Sequence, residues 1–332
     1  ANSYKLKAVF FSSHFHPWLI LLPIARFLKK AEWYHAVHEN PFDTKESRSA
    51  ILQKLEQFCF NHANRIVCYS EYMRSQLSSA SIRVDSYSRI RDYSPLPQTN
   101  QVTNQPSSSS SHPHLKANSY KLKAPLVLPL GSYTSALKGV TPSTAHKHAG
   151  RLLVGCLGRI EPYKDIDTLL KAFEILQSKN LPVDLLIAGR GSLPDVTRYT
   201  LQVTRVSIEN RWLSSDSLTA MALECDAIVV PYKKASQSGI ISLATACGKP
   251  VIATNVGGLS EQIEDGSTGI VVSPNDPQAL ANAIELFVLD PKKCETMGMS
   301  ARALGSGRLS WKRSAEEFLE EAIEDDRGDR GR

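Results

Sequence analysis

Between residues 152 and 290, short apolar runs alternate with longer amphipathic segments. The amphipathic segments predict helices, and they read DTLLKAFEILQSK, SGIISLATACG and PQALANAIELFVLD. The apolar runs predict buried strands, and they read LLVGCLG, VDLLIAG, DAIVVPY, PVIAT and GIVV. Strands that alternate with helices of this length predict a parallel sheet with helices on both faces, the doubly wound α/β type of nucleotide-binding domain.

The first 92 residues show a less regular form of the same alternation. Three apolar runs predict strands, and they read AVFFSSH, WYHAVHE and RIVCYS. Two longer segments, WLILLPIARFLKK and SRSAILQKLEQFCFNHA, predict helices, and EYMRSQL predicts the start of another. These elements make only part of a sheet, so the sequence predicts a first domain that is incomplete.

Residues 93–124 interrupt this alternation. Most of the segment is rich in Pro, Ser, Gln and Asn and can bury almost no apolar surface, which predicts a disordered insertion. The octapeptide ANSYKLKA occurs at residues 1–8 and again at 117–124, and we interpret it as a duplication or splice scar. The predicted organisation is a partial N-terminal domain (1–92), an insertion (93–124), an interdomain link (125–150), a C-terminal nucleotide-binding domain (151–305), and a final helix with a tail (306–332).

Length and charge narrow the class of protein. The chain has 332 residues, 42% of them hydrophobic and 22% charged, which fits two ordinary globular domains. The net charge of +6 is scattered, without a basic stripe interleaved with aromatic residues, so we do not expect nucleic acid as a partner. The positive excess suits either phosphate-bearing ligands or an anionic membrane surface.

Two further features bear on location. The six cysteines lie far apart without a C-x-x-C pair, which predicts reduced core residues in an intracellular protein rather than disulfides or a metal site. The run WLILLPIARFLKK is too short to span a bilayer, and it reads either as a core helix or as a helix on a membrane surface. We therefore expect a cytoplasmic protein, with peripheral contact at the inner face of the membrane as an open alternative.

Candidate phosphate-binding groups follow two of the predicted strands. Arg159 and Lys164 come after LLVGCLG, and ligands bind beyond the carboxyl ends of strands in sheets of this type. A guanidinium and an ammonium both bind phosphate oxygens, although two cations at this spacing are also common on any surface. The helix that opens with ASQSGII offers free N–H groups to an anion, or else it is a plain turn with a Ser N-cap. Gly239 would let a diphosphate approach without a Cβ in the way.

Taken in order, these motifs resemble the donor-binding domain of glycosyltransferase family 4, which are retaining enzymes of the two-domain GT-B fold. The matching pieces are GRIEPYKDIDTLLKAFEIL, LLIAGRG, CDAIVVPY, ATACGKPVIATNVGGLSEQIEDGSTGIVV and LSWKRSAEEFLEEA. In the first half, HPWLILLPIARFLKKAEWYHAVHENPF and ANRIVCYSEYMRSQL are similar to the middle of the family's N-terminal domain. The resemblance implies an α/β fold of the GT-B type, with two Rossmann-like doubly wound domains facing a cleft, the first of them incomplete.

The resemblance also implies roles for individual residues. Arg159 and Lys164 match the cations that hold the donor diphosphate, and His38 matches the active-site histidine that faces the donor sugar. Glu261 matches the acidic position after the double glycine, where it would contact the donor. The start of the helix after DAIVVPY would complete the donor site, through Ser236, Gln237, Ser238, Gly239 and Ile240. The implied donor substrate is a UDP- or GDP-sugar, and neither a metal ion nor a cofactor is needed.

The sequence departs from the family at two positions around this helix. Many members carry two glutamates eight positions apart, the first near the sugar and the second bound to the ribose hydroxyls. Those places fall on Ala235 and Leu243. Because a leucine cannot accept a hydrogen bond, we expect a variant donor site without the usual ribose contact.

Three functions are compatible with this pattern. The leading hypothesis is an enzyme, a hexosyltransferase that moves a hexose from a nucleotide diphosphate sugar to a glycan or lipid-linked acceptor with retention. A catalytically impaired remnant that only binds nucleotide is favoured by the incomplete first domain and the insertion. A sugar-nucleotide epimerase would use the same architecture, but it needs acid and base groups that we do not find in the sequence. A sugar hydrolase is disfavoured because it relies on two facing carboxylates, and no convincing pair is present.

Overall fold

A computed structural model describes residues 8–12, 33–37, 65–68, 72, 126–146, 148–199, 205–318 and 320. The chain divides into two compact units, and the larger one comprises residues 37–45, 67–74 and 126–332. The insertion predicted at 93–124, which contains the second octapeptide copy, lies outside the described residues, as do the first copy up to residue 7 and the helices predicted before residue 65. The domain boundaries given above therefore stay a prediction.

Four strands between residues 8 and 127 form one sheet. They are β1 (Ala8–Ser12), β2 (Trp33–Val37), β3 (Arg65–Cys68) and β4 (Leu126–Val127). The strands follow one another across the sheet in chain order, and β3 pairs with β4 in parallel. The three strands predicted from AVFFSSH, WYHAVHE and RIVCYS are confirmed as β1, β2 and β3.

The larger unit is built on a six-stranded parallel sheet. Its order across the sheet is β10-β9-β8-β5-β6-β7, and every pair of neighbours is parallel. Five of these strands match the predicted apolar runs, whereas β7 has no counterpart in the prediction. The strands are β5 (Leu152–Leu157), β6 (Val183–Ala188), β7 (Arg205–Glu209), β8 (Ala227–Val230), β9 (Val251–Thr254) and β10 (Gly269–Val272).

Five helices connect and follow these strands. They are α1 (Ile166–Ser178), α2 (Ser215–Glu224), α3 (Gly239–Cys247), α4 (Pro277–Leu289) and α5 (Pro291–Ser306). Residues 311–318 form a further helix. Each of the five begins after a Ser or Asp whose side chain accepts a hydrogen bond from a backbone N–H of the first turn, the usual way to satisfy a helix start. In the described part of the chain, no helix is both long enough and apolar enough to cross a membrane.

Apolar side chains pack on both faces of the six-stranded sheet. Val154 of β5 belongs to a core with Phe173 of α1 and Ile284 of α4. Its neighbour Leu153 belongs to a second core with Ile241 of α3. Successive side chains of a strand point to opposite faces, so helices cover the sheet on both sides. The predicted doubly wound α/β arrangement is confirmed for this unit.

Candidate active site

The carboxyl ends of β5 and β8 are the part of the sheet where a ligand is expected. From β5 the chain proceeds to β6 and β7 on one side, and then to β8, β9 and β10 on the other. The strand order therefore reverses between β5 and β8, and in open α/β sheets a binding crevice lies at such a point. Arg159 and Lys164 follow β5, and the residues from Ser236 to Ile240 follow β8. The two groups predicted to bind phosphate thus flank the reversal point.

Arg159 lies on a continuation of the sheet beyond β5. The Gly158 N–H donates to the Ala188 carbonyl oxygen at 2.9 Å, and the Ile160 N–H donates to the Arg190 carbonyl oxygen at 2.9 Å. Strand pairing therefore continues past the ends of β5 and β6 and fixes the backbone on both sides of Arg159. The Arg159 side chain is exposed, and it forms no ion pair within the described residues. A guanidinium in this position is available to an anion from solvent.

Lys164 is a buried cation that has no carboxylate partner in the described part of the chain. Its side chain is among the buried charged groups, at 4% exposure. Its ammonium donates to the Leu157 carbonyl oxygen at 3.1 Å and lies 5.1 Å from the centre of the Tyr232 ring. Among the described residues it makes no ion pair. Burial lowers the pKa of Lys164, and the positive charge of Arg159 adds to the effect.

The one acidic residue next to Lys164 in sequence is engaged elsewhere. Asp165 caps α1 by accepting from the Thr168 hydroxyl at 2.6 Å, and its other carboxylate oxygen lies 3.0 Å from the Lys233 ammonium. Asp165 has a left-handed backbone conformation, with φ of 49°, which turns the chain into the helix. The local negative charge is therefore used to start α1 and to hold Lys233. It does not neutralise Lys164.

Lys164 and the start of α3 meet over Gly158. A Cβ added at Gly158 would lie 3.0 Å from Ile240 Cδ1 and 3.1 Å from Lys164 Nζ. The two side chains therefore approach the same point of the β5 end from opposite sides of the reversal. A free positive charge and a helix N-terminus on one small area favour an anionic ligand there.

Ser238 is the N-cap of α3 and is itself held by Gln262. The Ser238 hydroxyl accepts from the Ile240 N–H at 3.3 Å. The Gln262 amide accepts from the Ser238 N–H at 2.7 Å and donates to the Ser238 carbonyl oxygen at 3.1 Å. These contacts occupy the polar groups of Ser238, whereas the N–H of Gly239 has no acceptor among the described residues. We infer that Gly239 is the residue of this turn that presents an N–H to a ligand.

The other residues predicted around the α3 start lie beside it. Ser236, Gln237 and Ile240 are half-buried; the first two lie in the turn after β8, and Ile240 lies in the first turn of α3. Leu243, at the position where the family resemblance places a glutamate, is 4% exposed and packs in the core that includes Leu153. The site therefore has an apolar side chain at the position where the resemblance implies a ribose contact.

Glu261 lies in a turn after β9, and its carboxylate has a backbone partner. It accepts from the N–H of Tyr72, a residue of the same compact unit, at 2.8 Å. The Glu261 side chain is exposed. A role for Glu261 in binding the donor stays a prediction. His38 lies outside the described residues, and its role also stays a prediction.

Two other acidic residues at strand ends have structural contacts. Asp226 accepts from the Leu153 N–H at 2.9 Å, at the amino end of β5. Glu264 lies 3.3 Å from the guanidinium of Arg308. These contacts give both residues a structural role.

Sequence reasoning did not find two residues that shape this site. Gln262 is 6% exposed and clamps Ser238, and Tyr133 lies next to Gly239. Neither belongs to a motif with a recognisable chemistry, since one is a single amide and the other lies in the link LVLPLGSY. The only signal was the position of Gln262 directly after the predicted ligand Glu261.

Comparison with solved structures identifies the class of fold. Sucrose-phosphate synthase from Thermosynechococcus elongatus matches with a TM-score of 0.63 at 20% identity, over 92% of this chain and 71% of that one. HepE from Anabaena, solved in complex with UDP and glucose, matches with a TM-score of 0.63 at 18% identity, over 95% of this chain and 77% of that one. The predicted α/β fold of the GT-B type is confirmed by these matches and by the six-stranded parallel sheet.

The sequence comparison agrees with the fold. The family model for glycosyl transferases group 1 matches residues 143–304, which contain β5 to β10. This part of the chain is therefore similar to the glycosyl transferases group 1, and the resemblance stated above is confirmed.

Curated relatives support the same assignment. The D-inositol 3-phosphate glycosyltransferase of Paenarthrobacter aurescens is 33% identical over 193 residues, which is 56% of this chain and 45% of that protein. A GDP-mannose-dependent phosphatidylinositol monomannoside mannosyltransferase of Mycolicibacterium smegmatis is 30% identical over 172 residues, 49% of this chain and 45% of that protein. The chain spans about half the length of the curated relatives it matches.

Proposed function

We propose that this protein is a hexosyltransferase that uses a nucleotide diphosphate sugar as donor and a glycan or lipid-linked acceptor. The observation that carries the proposal is Lys164. Lys164 is 4% exposed and has no carboxylate partner among the described residues, which is costly because burial removes the hydration of its ammonium. The diphosphate of a donor would supply the missing negative charge, at a point that also receives the N-terminus of α3.

Each residue has a defined part in the proposed reaction. As the bond between the anomeric carbon and the phosphate oxygen breaks, negative charge grows on the leaving diphosphate. Arg159 offers a planar pair of donors to its oxygens, Lys164 offers a fixed point charge, and Gly239 offers a backbone N–H. Groups fixed before the reaction stabilise this growing charge more than they stabilise the bound substrate, which lowers the barrier. In this scheme the two cations replace a divalent metal ion.

The proposed donor and acceptor classes rest on what related proteins bind. HepE was solved with UDP and glucose, and the mannosyltransferase relative is named for GDP-mannose and a phosphatidylinositol mannoside. We therefore propose a UDP- or GDP-sugar as donor, and retention of configuration as in the enzymes the motifs resemble. A lipid-linked acceptor would place the reaction at the inner face of the membrane, with the protein otherwise in the cytoplasm.

Calorimetry with UDP and GDP tests the donor site directly. Wild-type protein should bind at least one of them saturably. Arg159→Ala should weaken binding without a change in thermal unfolding, because the Arg159 side chain is exposed. The matched control is Arg313→Ala, which removes an exposed arginine of the helix at 311–318 that pairs with Glu317. Equal affinities for wild type and Arg159→Ala would refute the assignment.

Turnover is a separate question from binding. Release of radioactive sugar from UDP- and GDP-sugars should be measured with and without glycan and lipid-linked acceptors. Release that depends on an acceptor supports transfer. Saturable nucleotide binding without release under any of these conditions would contradict it.

A second candidate is nucleotide binding without transfer. The burial of Leu243, and the apolar side chain at Ala235, favour it because the site lacks both acidic groups that many relatives have there. The release experiment separates the two candidates, since both predict nucleotide binding and only one predicts turnover.

A further inference from the structure

The phenol group of Tyr133 lies against the start of α3, and the scheme above does not use it. A Cβ added at Gly239 would lie 3.0 Å from Tyr133 Oη and 3.4 Å from Cε2. The hydroxyl therefore lies beside the helix residue that presents a free N–H. Any side chain at position 239 would crowd this hydroxyl.

The backbone that carries Tyr133 is fixed to two other elements. The Tyr133 N–H donates to the Ser242 carbonyl oxygen of α3 at 3.3 Å, and the Ser132 hydroxyl donates to the same oxygen at 3.4 Å. The Ser132 N–H donates to the Leu309 carbonyl oxygen at 2.6 Å, and Ser132 is 1% exposed. Tyr133 is thus held next to α3 by its own segment and does not need a ligand to reach this position.

The chemical state of the hydroxyl suits a hydrogen-bond donor. The Tyr133 side chain is half-buried, and burial raises the pKa of the phenol above its usual range. The group therefore keeps its proton at neutral pH. Within the described residues the hydroxyl has no hydrogen-bond partner, although the backbone groups of Tyr133 have theirs.

We propose that Tyr133 is a donor-binding residue, whose hydroxyl donates a hydrogen bond to a phosphate oxygen of the nucleotide diphosphate at the start of α3. This inference rests on the proposed function. It adds a neutral donor from the link before β5 to the cations of the β5 loop and the N–H of Gly239. The diphosphate would then be held by three segments that are distant in sequence.

The test is the affinity of Tyr133→Phe for UDP, GDP and inorganic pyrophosphate, measured by calorimetry. Loss of one hydrogen bond to a charged group should weaken each ligand that wild type binds by about 10-fold or more. Pyrophosphate should be weakened by a similar factor, because the contact is to phosphate. The matched control is Tyr199→Phe, which removes an exposed hydroxyl bound to Asp167 at 2.6 Å and should leave affinity unchanged.

A double variant tests the same contact without relying on one substitution. Gly239→Ala in wild type would push against the Tyr133 hydroxyl, and in Tyr133→Phe the nearest atom is gone. We therefore expect Gly239→Ala to weaken pyrophosphate binding by a smaller factor in the Tyr133→Phe background. Equal factors in the two backgrounds would overturn the contact.

The outcomes separate this inference from the proposed function. If wild type binds no nucleotide or pyrophosphate, both fail. If wild type binds, Arg159→Ala binds weakly and Tyr133→Phe binds like wild type, only the role of Tyr133 is overturned. Thermal unfolding of each variant shows whether a loss of affinity comes from a loss of fold.

Discussion

The side of the six-stranded sheet where the strands begin (the amino edge) and the side where they end (the carboxyl edge) differ in the partners of their charged groups. At the amino edge, buried Asp184 of β6 accepts from the Arg151 guanidinium at 2.7 Å and lies 2.9 Å from the His148 ring. At the carboxyl edge, Arg159 and Lys164 have no carboxylate partner among the described residues. Both edges belong to one sheet that is packed on both faces, so the general stability of the domain does not explain the difference.

The difference between the two edges separates charged groups that stabilise the fold from charged groups that are available to a ligand. A buried charge is tolerated when hydrogen bonds and an opposite charge surround it, as they do around Asp184. A buried charge without such a partner lowers stability. Groups of this kind cluster at functional sites, where another molecule supplies the partner. The predictions below test this division, from the largest expected effect to the smallest.

Lys164→Met should have the largest effect on activity and almost none on folding. Removing a fixed donor at the leaving group should raise the barrier by about 2.7–4 kcal/mol, a loss of roughly 100- to 1000-fold in turnover. The free energy of unfolding should stay the same or rise, because a buried charge without a partner is removed. Sugar-release kinetics and urea unfolding measure the two effects. Lys312→Met, on a side chain that is 86% exposed, is the control.

Asp184→Ala should show the opposite pattern. It leaves Arg151 and His148 without their partner, and we expect a loss of about 2–3 kcal/mol in the free energy of unfolding, reduced from a fully buried pair because both side chains are partly exposed. Nucleotide affinity of the folded protein should be unchanged, since the residue lies at the other edge. Weaker nucleotide binding, with the same free energy of unfolding as wild type, would contradict this difference between the two edges.

Gln262→Leu tests the clamp on Ser238. The Ser238 N–H would lose its partner and the Ser238 carbonyl oxygen would keep only the Ser242 N–H, which should lower the free energy of unfolding by about 1–2 kcal/mol and loosen the start of α3. Pyrophosphate affinity should fall by a few-fold as well. Gln278→Leu, at an exposed amide on α4, is the control. A stable variant with unchanged affinity would show that the clamp is dispensable.

The pH dependence of binding should be the smallest effect. Because burial lowers the pKa of Lys164, the folded protein without ligand loses this proton at a lower pH than the unfolded chain does. Between those two pKa values the unfolded chain binds more protons, so the free energy of unfolding rises with pH in that window. Diphosphate binding needs the charged form, so affinity should fall over the same window. In Lys164→Met both trends should disappear, and a persisting decline in affinity would assign it to another group.

The fold was predictable where each element carried its own pattern. β5, β6 and β8 are buried, mainly apolar runs because helices cover both faces, and α1 and α4 have clear apolar stripes. β7 was missed because it is a half-buried strand at the edge of the sheet, and its sequence RVSIE has no continuous apolar run. α2 was missed because SDSLTAMALE has a weak apolar stripe and many hydroxyl residues.

The site was predictable only in part, for a similar reason. Arg159, Lys164 and Gly239 lie in the connections that follow β5 and β8. The rule that ligands bind beyond the carboxyl ends of parallel strands therefore located them. Tyr133 and Gln262 act on α3 from segments that are distant in the sequence, and a single tyrosine or glutamine carries no local pattern. The burial of Lys164 was also not evident, because it depends on Tyr232 and on the end of β5 closing around it.

The segment before β5 contacts the helix at 311–318, and this contact bears on whether the chain can be circularly permuted. The Ser314 hydroxyl donates to the Pro129 carbonyl oxygen at 2.9 Å, so the stretch 126–318, which carries the six-stranded sheet, begins and ends at neighbouring points. Domains with adjacent ends tolerate circular permutation and insertion into other proteins. We expect that the sequence from 126 to 318 can be permuted, with the old ends joined by a short linker and new ends opened at an exposed turn such as the one after β10.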